Sequence, residues 1–375
     1  MKLLHVVNIY FVIPYFLGNQ LKYFRDKGYE EHIICSPSNE IARYAAEMGF
    51  KYEQFPIERK ISLFSDLKAV WKTICYIRRN KIDVVTGHTP KGGLIAMVAA
   101  WITHRKVRIY FRHGLVYETS KGLKRSLLIN IDRLASALAT KVVCVSPSVM
   151  RKSIEDKLAS PQKQIILGNG TCNGINIDRF KPLKPSDELR QKLGIDSEDF
   201  VIGYVGRLVR DKGIIELIEA FDLLCKKYIN VKILLVGMLE IRDALPEDVI
   251  KTIYHNPNII NTGYIDNRTI EQYYALMNVY VLPSYREGFP VSVLEASAME
   301  LPVITTRVTG CCDSILEGKT GLFINNNSND LLKALDKLYK NRQLCKFLGE
   351  NGRKMVIEKF DEKVIWPYIE ELYKQ

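Results

Sequence analysis

Arg207 and Lys212 stand five residues apart in GRLVRDKGIIELIEAF (206–221), and Glu287 and Glu295 stand eight apart in PSYREGFPVSVLEASAMELPVI (283–304). The first stretch reads as a strand, a short loop and a helix start. Such a loop aims backbone N–H groups and two cations at one point, which suits a diphosphate. Arginine offers a planar fork and lysine a point charge, so together they can neutralise phosphate oxygens as a leaving group departs. In the second stretch Gly288 lets the backbone approach a ligand, Pro290 suits a first helical turn, and the N–H groups of Phe289, Val291 and Ser292 face outward. Glu295 then falls about one turn inside that helix and Glu287 just before it. One carboxylate would take sugar hydroxyls, the other ribose hydroxyls. Either stretch alone is equally well read as a helix start with an acidic residue favoured by the dipole; the conjunction points to a phosphate ligand. No Asp-x-Asp pair occurs in the chain, so the commonest short metal-holding motif is missing and the two cations are expected to do the work of Mg²⁺.

Loops of this kind need a scaffold of buried parallel strands. Apolar, β-branched runs recur with helical patterns between them: LLHVV (3–7), EHIICS (31–36), VVTGH (84–88), VRIYF (107–111), KVVCVS (141–146) and QIIL (164–167). The rhythm restarts after Lys181 with FVIGYVG (200–206), VKILLVG (231–237), NIINTG (258–263), VYVLPS (279–284), PVITT (302–306) and GLFIN (321–325). Two doubly wound α/β sheets in tandem account for the pattern, with ligands expected beyond the carboxyl ends of the strands, in a cleft between two facing domains. FKPLKPSDELRQ (180–191), with its two prolines, reads as the linker. The expected organisation is a first Rossmann-like domain over 1–178, a second over 179–357, and a segment over 358–375, interrupted by Pro367, that crosses back to the first domain.

Bulk properties narrow the class. A chain of 375 residues with 47% apolar residues can fill two cores, and its eight cysteines form no CxxC pair, which excludes a disulfide scaffold and a zinc site. Leu3 to Leu17 resembles a signal peptide, but His5, Asn8 and Pro14 interrupt it, so it reads as a first strand and loop. No apolar run is long enough to span a bilayer. The expectation is a cytoplasmic protein, peripheral on the inner face of the cell membrane. The formal net charge is +12, but residues 1–175 carry 27 Lys and Arg against 13 Asp and Glu, a net of +14, so the first half holds all the excess. Such a field either recruits an anionic partner (phospholipid, polyprenyl diphosphate or nucleic acid) or is an inert basic surface. GLKRSLLINIDRLASALATK (122–141) places Lys124 and Arg125, next to Lys121, beside an apolar helical stripe, as a membrane-lying helix does. GNGTCNG (168–174) has glycines misspaced for a dinucleotide fingerprint and no helix close behind, which argues against NAD.

GRLVRDKG and the Glu-x7-Glu of EGFPVSVLE resemble the signature of family 4 glycosyltransferases, and the likeness extends over nearly the whole chain through GHTPKGGLIA (87–96), YFRHGLVYETSKGLKR (110–125), VSPSV (145–149), GNGTCNGINIDRF (168–180) and VTGCCDSILEGKTGLF (308–323). Within the family the chain is most similar to capsule, O-antigen and undecaprenyl-linked glycan transferases. The resemblance implies the GT-B fold, retention of anomeric configuration, no cofactor and no metal. It implies transfer of a hexose or N-acetylhexosamine from a UDP-sugar to a polyprenyl-diphosphate-linked or other membrane-held glycan acceptor, with no nucleic-acid partner. It makes the first domain the acceptor and membrane side and the second the holder of the nucleotide-sugar donor. Carried over by position, Arg207 and Lys212 bind the diphosphate, Glu295 the ribose, Glu287 and the amides after it the donor sugar, and backbone near Tyr264 and Ile265 the base. His113, after the strand VRIYF, would meet the donor sugar beside the reacting carbon, with His88, Lys91 and Arg112 toward the acceptor. Many relatives carry paired glycines after the first strand; here only Gly18, with Asn19, fills that place, and the apolar Tyr10 to Leu17 either packs on its own core or meets a polyprenyl tail or bilayer. Cys311 and Cys312 replace the usual Cys-Arg, which removes any substrate contact that arginine makes. A UDP-sugar 2-epimerase of the same fold is the alternative, disfavoured by the Glu-x7-Glu spacing; a nucleic-acid-binding protein is the remote one, lacking any known module.

Overall fold

The computed structural model describes residues 1–58, 62–241 and 243–375. The chain divides into two compact units, Met1–Gly174 with Glu362–Gln375, and Ile175–Asp361.

Among the described residues the first unit holds a seven-stranded parallel sheet of β1 (Lys2–Val6), β2 (Glu30–Cys35), β3 (Lys51–Gln54), β4 (Val84–His88), β5 (Val107–Arg112), β6 (Lys141–Cys144) and β7 (Gln164–Ile165), in the order β3-β2-β1-β4-β5-β6-β7. The second holds β8 (Phe200–Val205), β9 (Val231–Val236), β10 (Ile259–Asn261), β11 (Val279–Leu282), β12 (Val303–Thr306) and β13 (Gly321–Ile324), in the order β10-β9-β8-β11-β12-β13. Both orders reverse direction after the first strand of the unit, and the crevice outside that reversal is where a doubly wound sheet receives its ligand. The two doubly wound, Rossmann-like sheets expected from the strand rhythm are present. Val, Ile and Leu dominate the central strands because helices cover both faces, with His5 of β1 and Thr86 and His88 of β4 as buried polar exceptions. The strand with no apolar signature, β3 of sequence KYEQ, lies at the sheet edge with its side chains partly in solvent.

The expected return of the C-terminal segment is also present. The helix Glu362–Tyr373 contains Pro367 yet runs on through it, and it buries Ile365, Ile369, Leu372 and Tyr373 in the first unit. Trp366 Nε1 donates to Asn173 Oδ1 at 3.1 Å, and Glu370 pairs with Lys27.

Candidate active site

In the second unit the loop after β8 is pinned to the loop after β11. Gly213 lies at φ +71°, and a Cβ there would come within 2.1 Å of the Pro283 carbonyl oxygen, so only glycine lets the turn Arg210–Lys212 close on the start of the second motif. That contact brings Lys212 Nζ into an ion pair with Glu287. Ser284 Oγ donates to Glu287 Oε1 at 2.8 Å, and the Glu287 amide donates to the Thr309 carbonyl at 3.1 Å. Gly310, at φ +81°, stands where a Cβ would be 2.5 Å from the Gly288 carbonyl oxygen, so VTGCC buttresses the Glu287–Gly288 loop from behind. Cys311 is part of that buttress and is buried, which raises its thiol pKa to about 12.

Arg207 follows on the same β8 loop, its carbonyl taken by the Tyr204 hydroxyl at 2.8 Å and its Nη1 paired with Glu240 at 2.9 Å. Burial alone would lower the guanidinium pKa; the charge of Glu240 outweighs it and holds the group firmly protonated. The helix Val291–Ala298 starts behind Pro290 with no side-chain cap, which leaves its first amides, those of Val291 and Ser292, for a ligand. Phe289 packs near Phe360 at 5.3 Å between ring centroids, and Ser292 Oγ is held by the Tyr280 hydroxyl at 2.7 Å. Glu295 lies within the helix, buried, its pKa raised by that burial against the opposing pull of the Tyr274 hydroxyl, which donates to Oε2 at 2.8 Å. Tyr264 is exposed and Ile265 half-buried just past β10. The structure therefore joins Lys212 to Glu287 directly, keeps Arg207 on their loop with its own partner, and sets Glu295 inside the helix. Glu240, Ser284, Gly310 and Tyr274 complete this arrangement; Ser284 and Gly310 lie in quoted motifs without having been singled out, and Glu240 and Tyr274 lie outside any motif.

In the first unit His113 follows β5 half-buried, its ring stacked on Phe16 with centroids 3.7 Å apart and planes 8° from parallel. Phe16 ends the short helix Ile13–Phe16, and Ile13 and Leu17 are buried, so most of the apolar first loop packs on its own core. Gly18 at φ +44° closes that turn, with its amide on the Ile13 carbonyl at 3.2 Å, and Asn19 precedes the helix Gln20–Asp26. His113 Nε2 meets His88 Nδ1 at 3.0 Å, and burial lowers the His113 pKa to about 3.

Two expected acceptor contacts are not available. His88 is almost wholly buried, stacked on Phe111 at 4.6 Å, and its other ring nitrogen lies 3.2 Å from Thr86 Oγ1; burial, then the neighbouring His113 and His5, hold its pKa well below the usual range. Arg112 points into the unit, where Asp132 takes Nε at 3.2 Å and Nη2 at 2.6 Å, Ser136 also takes Nη2 at 2.6 Å, and Ser153 and Gln164 take Nη1 at 2.5 and 3.0 Å. Side chains alternate along a strand, so the residue after Phe111 and before His113 had to face the opposite way to one of its neighbours, and a fork with every donor taken cannot meet a substrate. Lys91, one residue into the helix Pro90–Ile102, pairs with Asp66 at 2.7 Å. Among the described residues no group of three His, Cys, Asp or Glu side chains is gathered as a metal site requires.

Two doubly wound units in tandem, the second presenting Arg207, Lys212 and an uncapped helix start beyond its sheet, are the architecture of a GT-B protein. The chain matches the family profiles described as Glycosyltransferase Family 4 over residues 15–171 and Glycosyl transferases group 1 over residues 185–355. It is 37% identical over 374 residues to the capsular polysaccharide biosynthesis glycosyltransferase CapM of Staphylococcus aureus, covering 99% of this chain and 96% of that one. It is 23% identical to the Escherichia coli UDP-Gal:alpha-D-GlcNAc-diphosphoundecaprenol alpha-1,3-galactosyltransferase, covering 89% and 86%. The fold matches Anabaena Alr3699/HepE, solved in complex with UDP and glucose, at a TM-score of 0.82 and 21% identity over the whole of both chains. The chain belongs to glycosyltransferase family 4.

Proposed function

We propose that this glycosyltransferase moves a hexose or N-acetylhexosamine from a UDP-sugar to a polyprenyl-diphosphate-linked or other membrane-held glycan, with retention and without a metal ion, in surface polysaccharide biosynthesis. The observation that carries the reading is the Lys212–Glu287 pair, held by Gly213 and Ser284 on the loop that also bears Arg207. In the reaction the bond from the anomeric carbon to the diphosphate oxygen breaks and a bond to the acceptor hydroxyl forms on the same face. The acceptor's proton leaves with the departing phosphate oxygen. Arg207, Lys212 and the amides of Val291 and Ser292 take up the charge that develops there. Glu287 accepts hydroxyls of the sugar, Glu295 those of the ribose, and Tyr264 and Ile265 flank the base. The name of the galactosyltransferase supports the acceptor class, that of CapM supports surface polysaccharide biosynthesis, and the UDP of HepE supports the nucleotide.

The test is substitution. Arg207→Ala and Lys212→Ala are each expected to lower kcat about 10²- to 10³-fold with thermal unfolding unchanged, as for other groups that stabilise developing charge. Near-normal turnover in both would overturn the assignment, and so would activity that appears only with added divalent cation.

The first unit is proposed to lie on the inner face of the cell membrane. Leu63, Phe64, Leu67 and Trp71 are exposed on one side of the helix Leu63–Asn80, with Lys68 and Lys72 among them, and Leu123 is exposed in the helix Gly122–Leu138 beside Lys124 and Arg125. Among the described residues no helix is long and apolar enough to cross a membrane. Anionic phospholipid vesicles should retain the protein at low salt and release it at high salt. Equal retention on neutral vesicles would count against an electrostatic dock.

A further inference from the structure

Behind His113 a line of polar side chains crosses the first sheet from strand to strand. Glu31 of β2, His5 of β1, Thr86 and His88 of β4 and finally His113, just past β5, follow one another across four adjacent strands. The ladder explains the alignment: His5 is the register partner of Thr86, Glu31 is that of Leu3, and Leu3/His5 and Thr86/His88 are spaced by two, so all share one face. Glu31, His5, Thr86 and His88 are each at most 2% exposed. The links measure 2.9 Å from His5 Nε2 to Glu31 Oε2, 2.7 Å from Thr86 Oγ1 to His5 Nδ1, 3.2 Å from Thr86 Oγ1 to His88 Nε2, and 3.0 Å from His88 Nδ1 to His113 Nε2.

Such a chain has a direction, set by its end. Where Glu31 Oε2 accepts from His5 Nε2, an imidazole that carries its one proton on Nε2 accepts at Nδ1. The Thr86 hydroxyl gives its one proton there, a shorter link than its 3.3 Å approach to the Leu4 carbonyl, so His88 Nε2 is the donor, to Thr86 Oγ1 at 3.2 Å and more weakly toward His5 Nδ1 at 3.4 Å. His88 Nδ1 is then an acceptor, and His113 donates to it from Nε2. Every proton points toward Glu31. The one ring nitrogen left over, His113 Nδ1, has no protein partner among the described residues and carries a lone pair. The opposite polarity requires one more proton, on Glu31 or on His5.

We propose that Glu31, acting through His5, Thr86 and His88 as positioning residues, holds the proton of His113 on Nε2, so that Nδ1 accepts a hydrogen bond from a hydroxyl of the donor sugar. The proposal rests on the reading that His113 meets that sugar. A hydroxyl acceptor at this point discriminates against a deoxy sugar or one whose hydroxyl is turned away, because the lone pair would then be left without its donor.

The experiment reads the ring nitrogens directly. In protein labelled with ¹⁵N-histidine, with the His113 and His88 signals assigned from His113→Phe and His88→Phe, both rings should show a protonated Nε2 and a bare Nδ1. Thr86→Val keeps the side-chain shape and removes the hydroxyl link. Glu31→Gln presents its NH₂ to His5, since the other carboxylate oxygen, Oε1, is buried without a partner and an unpaired amide NH₂ there would waste two donors. Both variants should move His113 out of the single Nε2–H form, Glu31→Gln toward the Nδ1–H form. Each should lower kcat about fivefold to tenfold with the KM for UDP-sugar within about twofold, the loss of one hydrogen bond strengthened in the transition state. A wild-type His113 protonated on Nδ1 or exchanging between tautomers, or a tautomer unmoved in both variants, would overturn the relay, and the wild-type spectrum needs no variant to fold. Failure of the underlying reading looks different: His113→Ala would transfer sugar at the normal rate while the ¹⁵N pattern of the wild type stood.

Discussion

The two units handle charge in opposite ways. The first unit buries its polar groups and satisfies them from within: the Arg112 fork is filled by Asp132, Ser136, Ser153 and Gln164, and the Glu31-to-His113 line leaves one nitrogen outward. The second holds its two cations by one carboxylate each, Arg207, 41% exposed, on Glu240, and Lys212, 17% exposed, on Glu287. A buried group whose partners are protein atoms has a fixed role and a large cost of disturbance. A half-exposed ion pair is a loose stand-in that an anion can replace. The contrast suits the proposed roles, in which the first unit orients one hydroxyl and the second grips and releases a diphosphate.

Substitutions can break that contrast, and the largest effect is expected inside the first unit. Asp132→Asn leaves the Arg112 charge buried among neutral groups, and should cost about 3–5 kcal/mol of unfolding free energy in denaturant titration. A loss below about 1 kcal/mol would mean that water or another anion reaches Arg112, and would reopen it as a substrate contact.

His113 gives a medium effect with a defined sign. Its pKa is lowered by burial from 6.5 to about 3, so between those values the unfolded chain binds a proton that the native ring refuses. The stability that goes with the neutral ring is present above pH 6.5 and is lost as pH falls toward 3. His113→Gln removes this dependence, so denaturant midpoints of the wild type should fall more steeply from pH 7 to pH 4 than those of the variant. Parallel curves would show that His113 titrates freely and is not held neutral in its stacked place on Phe16 beside His88.

The same contrast explains what could be read from the chain. Strands of the two sheets announced themselves because parallel strands under two layers of helix are built mostly from apolar residues; KYEQ of β3 did not, since an edge strand has solvent on one side. Arg207, Lys212, Glu287 and Glu295 were legible because each pair lies within one short loop and helix start, where spacing in sequence is nearly spacing in space. The relay was not. Glu31, His5, Thr86 and His113 meet only through the register of β2, β1, β4 and β5, and no local pattern carries register. His88 and Arg112 were misplaced for the same reason: position at a strand end located them, but which face they take, and what fills it, is decided by neighbouring strands. Tyr10 to Leu17 was ambiguous because an apolar loop reads alike whether it covers a core or awaits a ligand.

The smallest effect tests the looseness of the second unit. Glu240 and a phosphate would compete for the same guanidinium, so removing the charge of Glu240 should help an anion and do little to the fold. Arg207 and Glu240 have side chains 41% and 25% exposed, and an ion pair so placed contributes at most about 1 kcal/mol, which bounds the expected stability loss of Glu240→Gln. Free UDP should bind that variant about twofold to threefold more tightly in calorimetric titration, a shift within the reach of one exposed charge pair. The gain should shrink as salt is raised, since screening weakens the wild-type pair that the mutation removes. Weaker binding would mean that Glu240 orients Arg207 for the diphosphate, as the carboxylates of the first unit hold their partners, and the two units would then work by one principle.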